Sequence, residues 1–104
     1  MKHADLLSIM SDTAGLARTT TLFNENGLRT LLLHLKAGEK IPEHQTRGAI
    51  TVQCLKGEAI SVGGDQRVEL RPGLLISLPP GTPHSVAAQQ DTALLVTISE
   101  QSRA

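Results

Sequence analysis

Two histidines, His44 and His84, each follow a short stretch that begins with a glycine and contains a proline. Imidazole side chains are common metal ligands, and they also act as general acids or bases near neutral pH. Pro79 and Pro83 restrict the loop that ends at His84, which lowers the entropy lost when this imidazole is held in one place. Such loops suit a binding or catalytic site, but a small barrel also needs them to turn its corners.

The segments around these histidines have the pattern of short β-strands. Apolar and β-branched residues recur with a period of two, and turn-forming residues separate the segments. Leu6, Leu7 and Met10 have helical spacing and predict a short helix over residues 3–11. The predicted strands are 17–23, 28–36, 50–55, 59–62, 67–70, 74–78, 84–87 and 92–99. This series of short strands indicates an all-β barrel or sandwich.

The spacing of several glycines, prolines and histidines resembles the paired sequence motif of the cupin superfamily. The matching positions are Gly38, His44 and Gly57 in the first motif and Gly73, Pro79, Gly81 and His84 in the second. The resemblance covers about residues 28–99. It implies an RmlC-like cupin fold, a double-stranded β-helix or jelly-roll barrel, which we expect to form a single domain over residues 1–104.

The same resemblance identifies the positions at which a cupin holds a divalent metal. His44 and His84 match ligand positions, whereas Thr46 stands where a second histidine belongs, Ile50 where a glutamate belongs and Ala88 where an asparagine belongs. Catalytic zinc sites usually have three protein ligands, and a common non-haem iron site has two histidines and a carboxylate. We therefore favour a pocket without a full metal site. If one divalent metal does bind, Zn, Ni, Mn and Fe are the candidates.

Strand alternation after His44 indicates which side chains face the predicted pocket. His44, Thr46, Ile50 and Cys54 share one parity, so an extended chain turns them to the same, mostly apolar face. A bulge at 47–48 would reverse the phase and turn Gln53 inward instead, which we consider the lesser alternative. The predicted ligand-pocket residues are Thr46, Ile50, Gln53 and Cys54.

The remaining residues that could carry chemistry are assigned no catalytic or metal-binding role. Cys54 is the only cysteine, so no disulfide can form within the chain, and a lone cysteine in an apolar strand usually behaves as an inert small hydrophobe. His34 has the parity opposite to Leu33 and Leu35, which predicts an exposed or interface position. His3 lies near the N-terminus, where we expect no ligand role.

Composition argues against several classes of partner. The formal net charge is zero, Trp and Tyr are absent, and Phe23 is the one phenylalanine. The chain therefore has no basic stripe and no set of stacking aromatic residues for nucleic acid. We find neither a signal peptide nor an apolar run long enough to cross a bilayer, and expect a cytoplasmic protein that binds no membrane.

Three leucine-rich segments suggest that two copies of the chain associate. Residues 31–33, 74–76 and 94–96 make both faces of their strands apolar. One face can fill the barrel, but the other must be covered, because large exposed apolar patches are unusual on monomers. A homodimer that packs sheet on sheet is the simplest cover.

Three functions are compatible with this sequence. The favoured one is the binding of a small organic ligand in the barrel pocket. The second is a mononuclear metal-dependent enzyme of the oxygenase, isomerase or decarboxylase type, with His44 and His84 as ligands. The third is a metal-free enzyme that uses one of these histidines as a general base. The sequence identifies no catalytic residue.

Overall fold

The structure, a computed structural model, describes residues 1–11 and 18–99. These residues form one helix, α1 (Leu6–Ser11), and nine strands: β1 (Thr19–Glu25), β2 (Leu28–Leu35), β3 (Lys40–His44), β4 (Ile50–Lys56), β5 (Ala59–Gly63), β6 (Gln66–Leu70), β7 (Leu75–Leu78), β8 (His84–Ala88) and β9 (Thr92–Ser99). The predicted first strand begins at residue 17, which lies outside the described residues. The helix begins three residues later than predicted, where the Asp5 carboxylate accepts a hydrogen bond from the Ser8 amide.

The strands form two antiparallel sheets that face each other. The five-stranded sheet has the order β1-β2-β9-β4-β7, and the four-stranded sheet has the order β3-β8-β5-β6. This architecture confirms the predicted all-β jelly-roll fold with a short N-terminal helix. Within the described part of the chain, no helix is long and apolar enough to span a membrane.

The core lies between the sheets and is built from alternate residues of the central strands. In β4, Ile50, Val52 and Cys54 are buried, while the residues between them are partly exposed. Val52 lies opposite Val96 of β9 and Ile76 of β7, so hydrophobic residues of neighbouring strands stack on one face of the sheet. The predicted parity of β4 is therefore observed, and the phase reversal that would turn Gln53 inward does not occur.

Strand β3 is absent from the sequence-based prediction. Lys40, Pro42 and Glu43 interrupt any apolar alternation, and proline is usually excluded from central strands. The structure accommodates Pro42 because β3 is an edge strand, whose one partner among the described strands is β8. Its register shifts between Ile41 and His44, and this irregularity brings His44 directly opposite His84.

The expectation for His34 is wrong, because this residue is only 8% exposed within a single chain. Alternation correctly places it on the outer face of β2, away from the core between the sheets. That face is not fully open, however: Leu32 is completely buried there, and Lys2 forms a salt bridge with Glu25 of the adjacent strand. Farther along the same sheet, Leu75 is 61% exposed on the outer face. The homodimer remains a prediction.

Candidate functional site

A cavity of about 420 Å³ lies between the two sheets and opens at one end of the barrel. Its walls are mostly aliphatic, and its polar groups are few. The lining residues are Thr19, Arg29, Leu31, Leu33, Ile41, His44, Gln45, Thr46, Ile50, Val52, His84, Val86, Leu94, Val96 and Ile98. A second, smaller depression of about 290 Å³, lined by Glu58, Glu69 and Arg71 among others, contains neither of the motif histidines.

The two histidines predicted from the sequence come together at this cavity. His44 ends β3 and His84 begins β8, and the two residues are direct partners in the antiparallel pairing. Their ring centroids are 4.2 Å apart with an interplanar angle of 61°, an edge-to-face contact. His84 is only 4% exposed, whereas His44 is exposed to solvent. One imidazole therefore lies inside the cavity, and the other lies at its entrance.

The backbone fixes the orientation of both rings in the same way. Nδ1 of His44 lies 3.0 Å from the carbonyl oxygen of Pro42, and Nδ1 of His84 lies 2.9 Å from that of Thr82. A carbonyl oxygen can only accept, so each Nδ1 must carry the hydrogen, and each Nε2 of a neutral ring keeps its lone pair. The carbonyl two residues before each histidine thus sets the tautomer of its ring.

The Nε2 atom of His84 is the most distinctive polar atom of the cavity. It is buried and has no hydrogen-bond partner within the described residues. Leaving a buried polar group unsatisfied costs about 1–3 kcal/mol, so such a group in a folded protein calls for a ligand, an ion or water. This nitrogen marks the point at which a bound molecule would gain most from a polar contact.

The loops that carry the two motifs hold each other in place beside the histidines. The Thr46 hydroxyl donates a hydrogen bond to the Gly48 carbonyl, and the Gly81 amide donates one to the Thr46 carbonyl. The first hydrogen bond joins the Thr46 side chain to the backbone two residues later in the same loop. The second links the loop after β3 to the proline-rich loop before β8, so the entrance has a defined shape.

Two of the four predicted pocket residues line the cavity. Thr46 and Ile50 line the cavity with the two histidines, whereas Gln53 and Cys54 are not among the described residues that line it. Gln53 lies on the other face of β4, opposite Leu75 and Leu95. Cys54 is fully buried in the core. That any of these residues contacts a ligand remains a prediction.

Arg29 also lines the cavity, although neither sequence motif contains it. It lies on β2 with the same parity as Leu31 and Leu33, and all three line the cavity. This alternation was readable in the sequence and would have identified Arg29 as an inward-facing cation. The motif comparison does not find it, because Arg29 lies outside both motifs.

The described part of the site does not provide a complete set of metal ligands. Within residues 1–11 and 18–99, no three or more His, Cys, Asp or Glu side chains lie close enough together to hold a metal ion. No carboxylate is found among the described cavity-lining residues, so the charge of a dipositive ion would not be neutralised. His44 and His84 alone do not fit the three-ligand sites that are usual for catalytic zinc or non-haem iron.

The Cys54 thiol is expected to be inert in the folded protein. Burial raises its pKa above the ordinary value of about 9.0; a hydrogen bond with the backbone of Lys56 lowers it, and the charge of Glu58 raises it. The thiolate is the reactive form, so labelling by a thiol reagent at pH 8 should be on the order of 100-fold slower in native protein than in urea. Equal rates in the two conditions would show that the thiol is accessible.

The paired antiparallel sheets, the two linked motif loops and the facing histidines together define a cupin-type domain. A family model described as "Cupin domain" matches residues 31–99. The chain belongs to the cupin family, and its fold is that of a small RmlC-like cupin domain.

Solved structures with the same fold include proteins of similar size. A conserved protein of unknown function from Streptococcus pyogenes, SPY1581, has a TM-score of 0.81 at 21% identity, covering 99% of this chain and 93% of that one. The protein TT1209 from Thermus thermophilus has a TM-score of 0.80 at 25% identity, covering 98% and 100%. An RmlC-like cupin protein from Desulfovibrio desulfuricans has a TM-score of 0.71 at 29% identity, covering 79% and 80%. No curated protein matches the sequence.

Proposed function

We propose that this domain binds a small organic molecule in the cavity between its sheets, and that it does so without a full metal site. The cavity volume of about 420 Å³ lies within the range of about 300–1,000 Å³ that is usual for small-molecule sites. Aliphatic side chains with a few polar groups are the usual lining of such sites. The observation that carries the proposal is the buried Nε2 of His84, which has no hydrogen-bond partner in the described part of the chain.

No third ligand lies beside the two histidines among residues 1–11 and 18–99, and this supports the metal-free form of the proposal. In the first motif, Ile50 replaces the acidic ligand and presents an aliphatic side chain to the cavity. Thr46 replaces the second histidine, and its hydroxyl donates to the Gly48 carbonyl. Both substitutions remove metal-binding capacity while they leave room for an organic molecule.

The proposal is tested by screening a library of small organic compounds with a variant that fills the cavity. Val96 lines the cavity, so Val96→Phe should reduce its volume, at a stability cost of about 1–3 kcal/mol for overpacking. Thr97→Phe is the matched control, because the next residue of β9 faces the other side of the sheet. Binding is measured by ligand-observed NMR.

We expect compounds that bind the wild type and Thr97→Phe with similar affinity and that bind Val96→Phe at least about tenfold more weakly. Hits that bind all three proteins equally would place binding outside the cavity and contradict the proposal. The screen is carried out below the melting temperature of each variant, so that loss of binding is not confused with loss of folding.

A mononuclear metal-dependent enzyme of the oxygenase, isomerase or decarboxylase type is the second candidate function. The observation that favours it is the anchoring of both Nδ1 atoms to backbone carbonyls. Metal-binding histidines usually donate their second ring nitrogen in this way, which leaves Nε2 for the metal. His44 and His84 would be the ligands in this case, with Zn, Ni, Mn or Fe as the candidate metals.

Metal content separates the two candidates. We expect protein purified without chelator to contain well below one equivalent of any of these metals by elemental mass spectrometry. The His44→Ala, His84→Ala double variant should show the same content, because two neutral ligands without a carboxylate bind a dipositive ion weakly. About one metal per chain in the wild type, lost in the double variant, would support the enzyme and contradict the metal-free proposal.

A further inference from the structure

The buried imidazole of His84 offers a molecule in the cavity one hydrogen-bond acceptor and no donor. Its Nδ1 hydrogen is donated to the Thr82 carbonyl oxygen, 2.9 Å away, so Nε2 of the neutral ring keeps its lone pair. The Nε2 atom is buried and has no hydrogen-bond partner within the described residues, and the whole residue is 4% exposed. A ligand therefore gains a hydrogen bond there only if it supplies the hydrogen.

Two other polar side chains that line the cavity do not supply this hydrogen. The Thr46 hydroxyl donates to the Gly48 carbonyl oxygen, 2.9 Å away. The ring of His44 meets that of His84 edge to face, and its Nδ1 hydrogen is directed to the Pro42 carbonyl oxygen. Backbone carbonyls thus engage both neighbouring donors, and the lone pair of His84 Nε2 remains for a ligand.

The cavity wall next to His84 is aliphatic. Val86 is the next buried residue of β8 and lies opposite Ile41 of β3, and both line the cavity. In the facing sheet, Leu31 of β2 lies opposite Val96 of β9, and both line the cavity as well. A ligand bound to His84 through a polar end therefore buries its body among branched aliphatic side chains, which favours an apolar body.

We propose that the ligand is an uncharged hydroxyl compound, an alcohol or a phenol, with an apolar body. This inference rests on the proposed binding function and specifies the ligand of the same cavity. The hydroxyl donates its hydrogen to Nε2 of His84. Ethers, ketones and carboxylates have no hydrogen to donate and leave this nitrogen unsatisfied. An ammonium group can donate, but no carboxylate is found among the described lining residues to neutralise its charge.

The test compares two pairs of isomers that differ in the hydroxyl hydrogen. 1-Hexanol is paired with methyl pentyl ether, and 4-ethylphenol with 4-methylanisole, so the pairs also distinguish an alkyl body from an aromatic one. Dissociation constants are measured by NMR titration of the full chain. Hydrophobic burial alone would favour the ether, because an unpaired hydroxyl costs free energy to bury. In at least one pair we expect the hydroxyl compound to bind about tenfold more tightly, as one buried hydrogen bond would produce.

Variants then assign this preference to His84. His84→Phe keeps a planar ring and removes the acceptor, so it should reduce the preference for the hydroxyl compound to less than twofold. His84→Gln keeps an oxygen acceptor and should restore part of the preference. His34→Phe is the matched control and should leave the preference unchanged, because His34 is also a buried histidine but is not among the described residues that line the cavity. Thermal melting of each variant shows whether it is folded at the temperature of the titration.

Nitrogen NMR of the histidine rings gives a readout that does not depend on affinity. At a pH at which the ring is neutral, the free wild type should show the hydrogen of His84 on Nδ1, with the signals assigned by their loss in His84→Phe. Saturation with the hydroxyl compound should shift the Nε2 signal upfield, as expected for an imidazole nitrogen that accepts a hydrogen bond, and the ether should not. A hydrogen found on Nε2 of the free protein would overturn the inference.

The outcomes distinguish this inference from the function on which it rests. If each hydroxyl compound and its ether bind the wild type equally, or if the preference survives in His84→Phe, the ligand class is wrong and binding in the cavity still stands. If none of the four probes binds, the library hits decide: cavity-dependent hits without a hydroxyl donor, or hits whose methyl ethers bind equally well, contradict this inference alone. A screen without any cavity-dependent hit contradicts the binding function itself.

Discussion

Replacing Gly57 with alanine is expected to lower the free energy of unfolding by about 3 kcal/mol. Gly57 has a φ of +86°, a conformation that costs an alanine about 1–2 kcal/mol. A Cβ atom there would also lie 2.2 Å from the carbonyl oxygen of Asp91 and 2.8 Å from the Cα of Thr92. Both are backbone atoms, so no side-chain rotation relieves the overlap, and overpacking adds about 1–3 kcal/mol.

Gly73→Ala is the matched control for this substitution. Gly73 has a φ of +92°, but a Cβ atom there would meet nothing within 4 Å. Its variant should lose only the conformational part, about 1–2 kcal/mol. Urea unfolding of the two variants and the wild type separates these contributions. If Gly57→Ala is destabilised no more than Gly73→Ala, the close packing of the β4–β5 turn against the loop before β9 is incorrect.

Replacing Leu35 with alanine should also be strongly destabilising. Leu35 is completely buried and belongs to the hydrophobic cluster between the two sheets. Truncating a buried leucine usually costs about 2–5 kcal/mol, because transfer free energy is lost and a cavity is left behind. We expect a loss of about 3 kcal/mol in the free energy of unfolding, measured with urea.

Leu75→Ala provides the comparison for Leu35→Ala. Leu75 lies in β7 and is 61% exposed on a single chain, so truncation should change the free energy of unfolding by no more than about 0.5 kcal/mol. Similar losses at both positions would contradict the assignment of the core to the space between the sheets.

Most of the fold could be predicted from residue patterns because most strands alternate regularly and end at glycine- or proline-containing turns. The exception is instructive. Strand β3 contains Pro42 and a register shift, so it has no period-two pattern, and its existence depends on pairing with β8. Local sequence patterns carry no information on pairing with a strand that is distant in the sequence, so they do not predict β3.

The site could be predicted from the sequence only in part, because local patterns do not show what packs around a residue. The motif spacing identified His44 and His84, and their contact across β3 and β8 follows from the fold. Strand alternation correctly predicted that Ile50 faces the cavity. Alternation does not show how far along the strand the cavity extends, and Cys54 is not among the described lining residues. For His34, strand alternation predicted the correct face of the sheet, but the residue is buried and not exposed. Burial on that face depends on which other parts of the chain cover the sheet.

Mapping a bound ligand by backbone amide NMR shows directly whether binding occurs in the cavity between the sheets. A hit from the library is titrated into ¹⁵N-labelled wild-type protein, and the shift changes are mapped onto the chain. We expect the largest changes at cavity-lining positions such as Leu31, Val52, His84 and Val96. Changes confined to the outer depression at Glu58, Glu69 and Arg71 would contradict it.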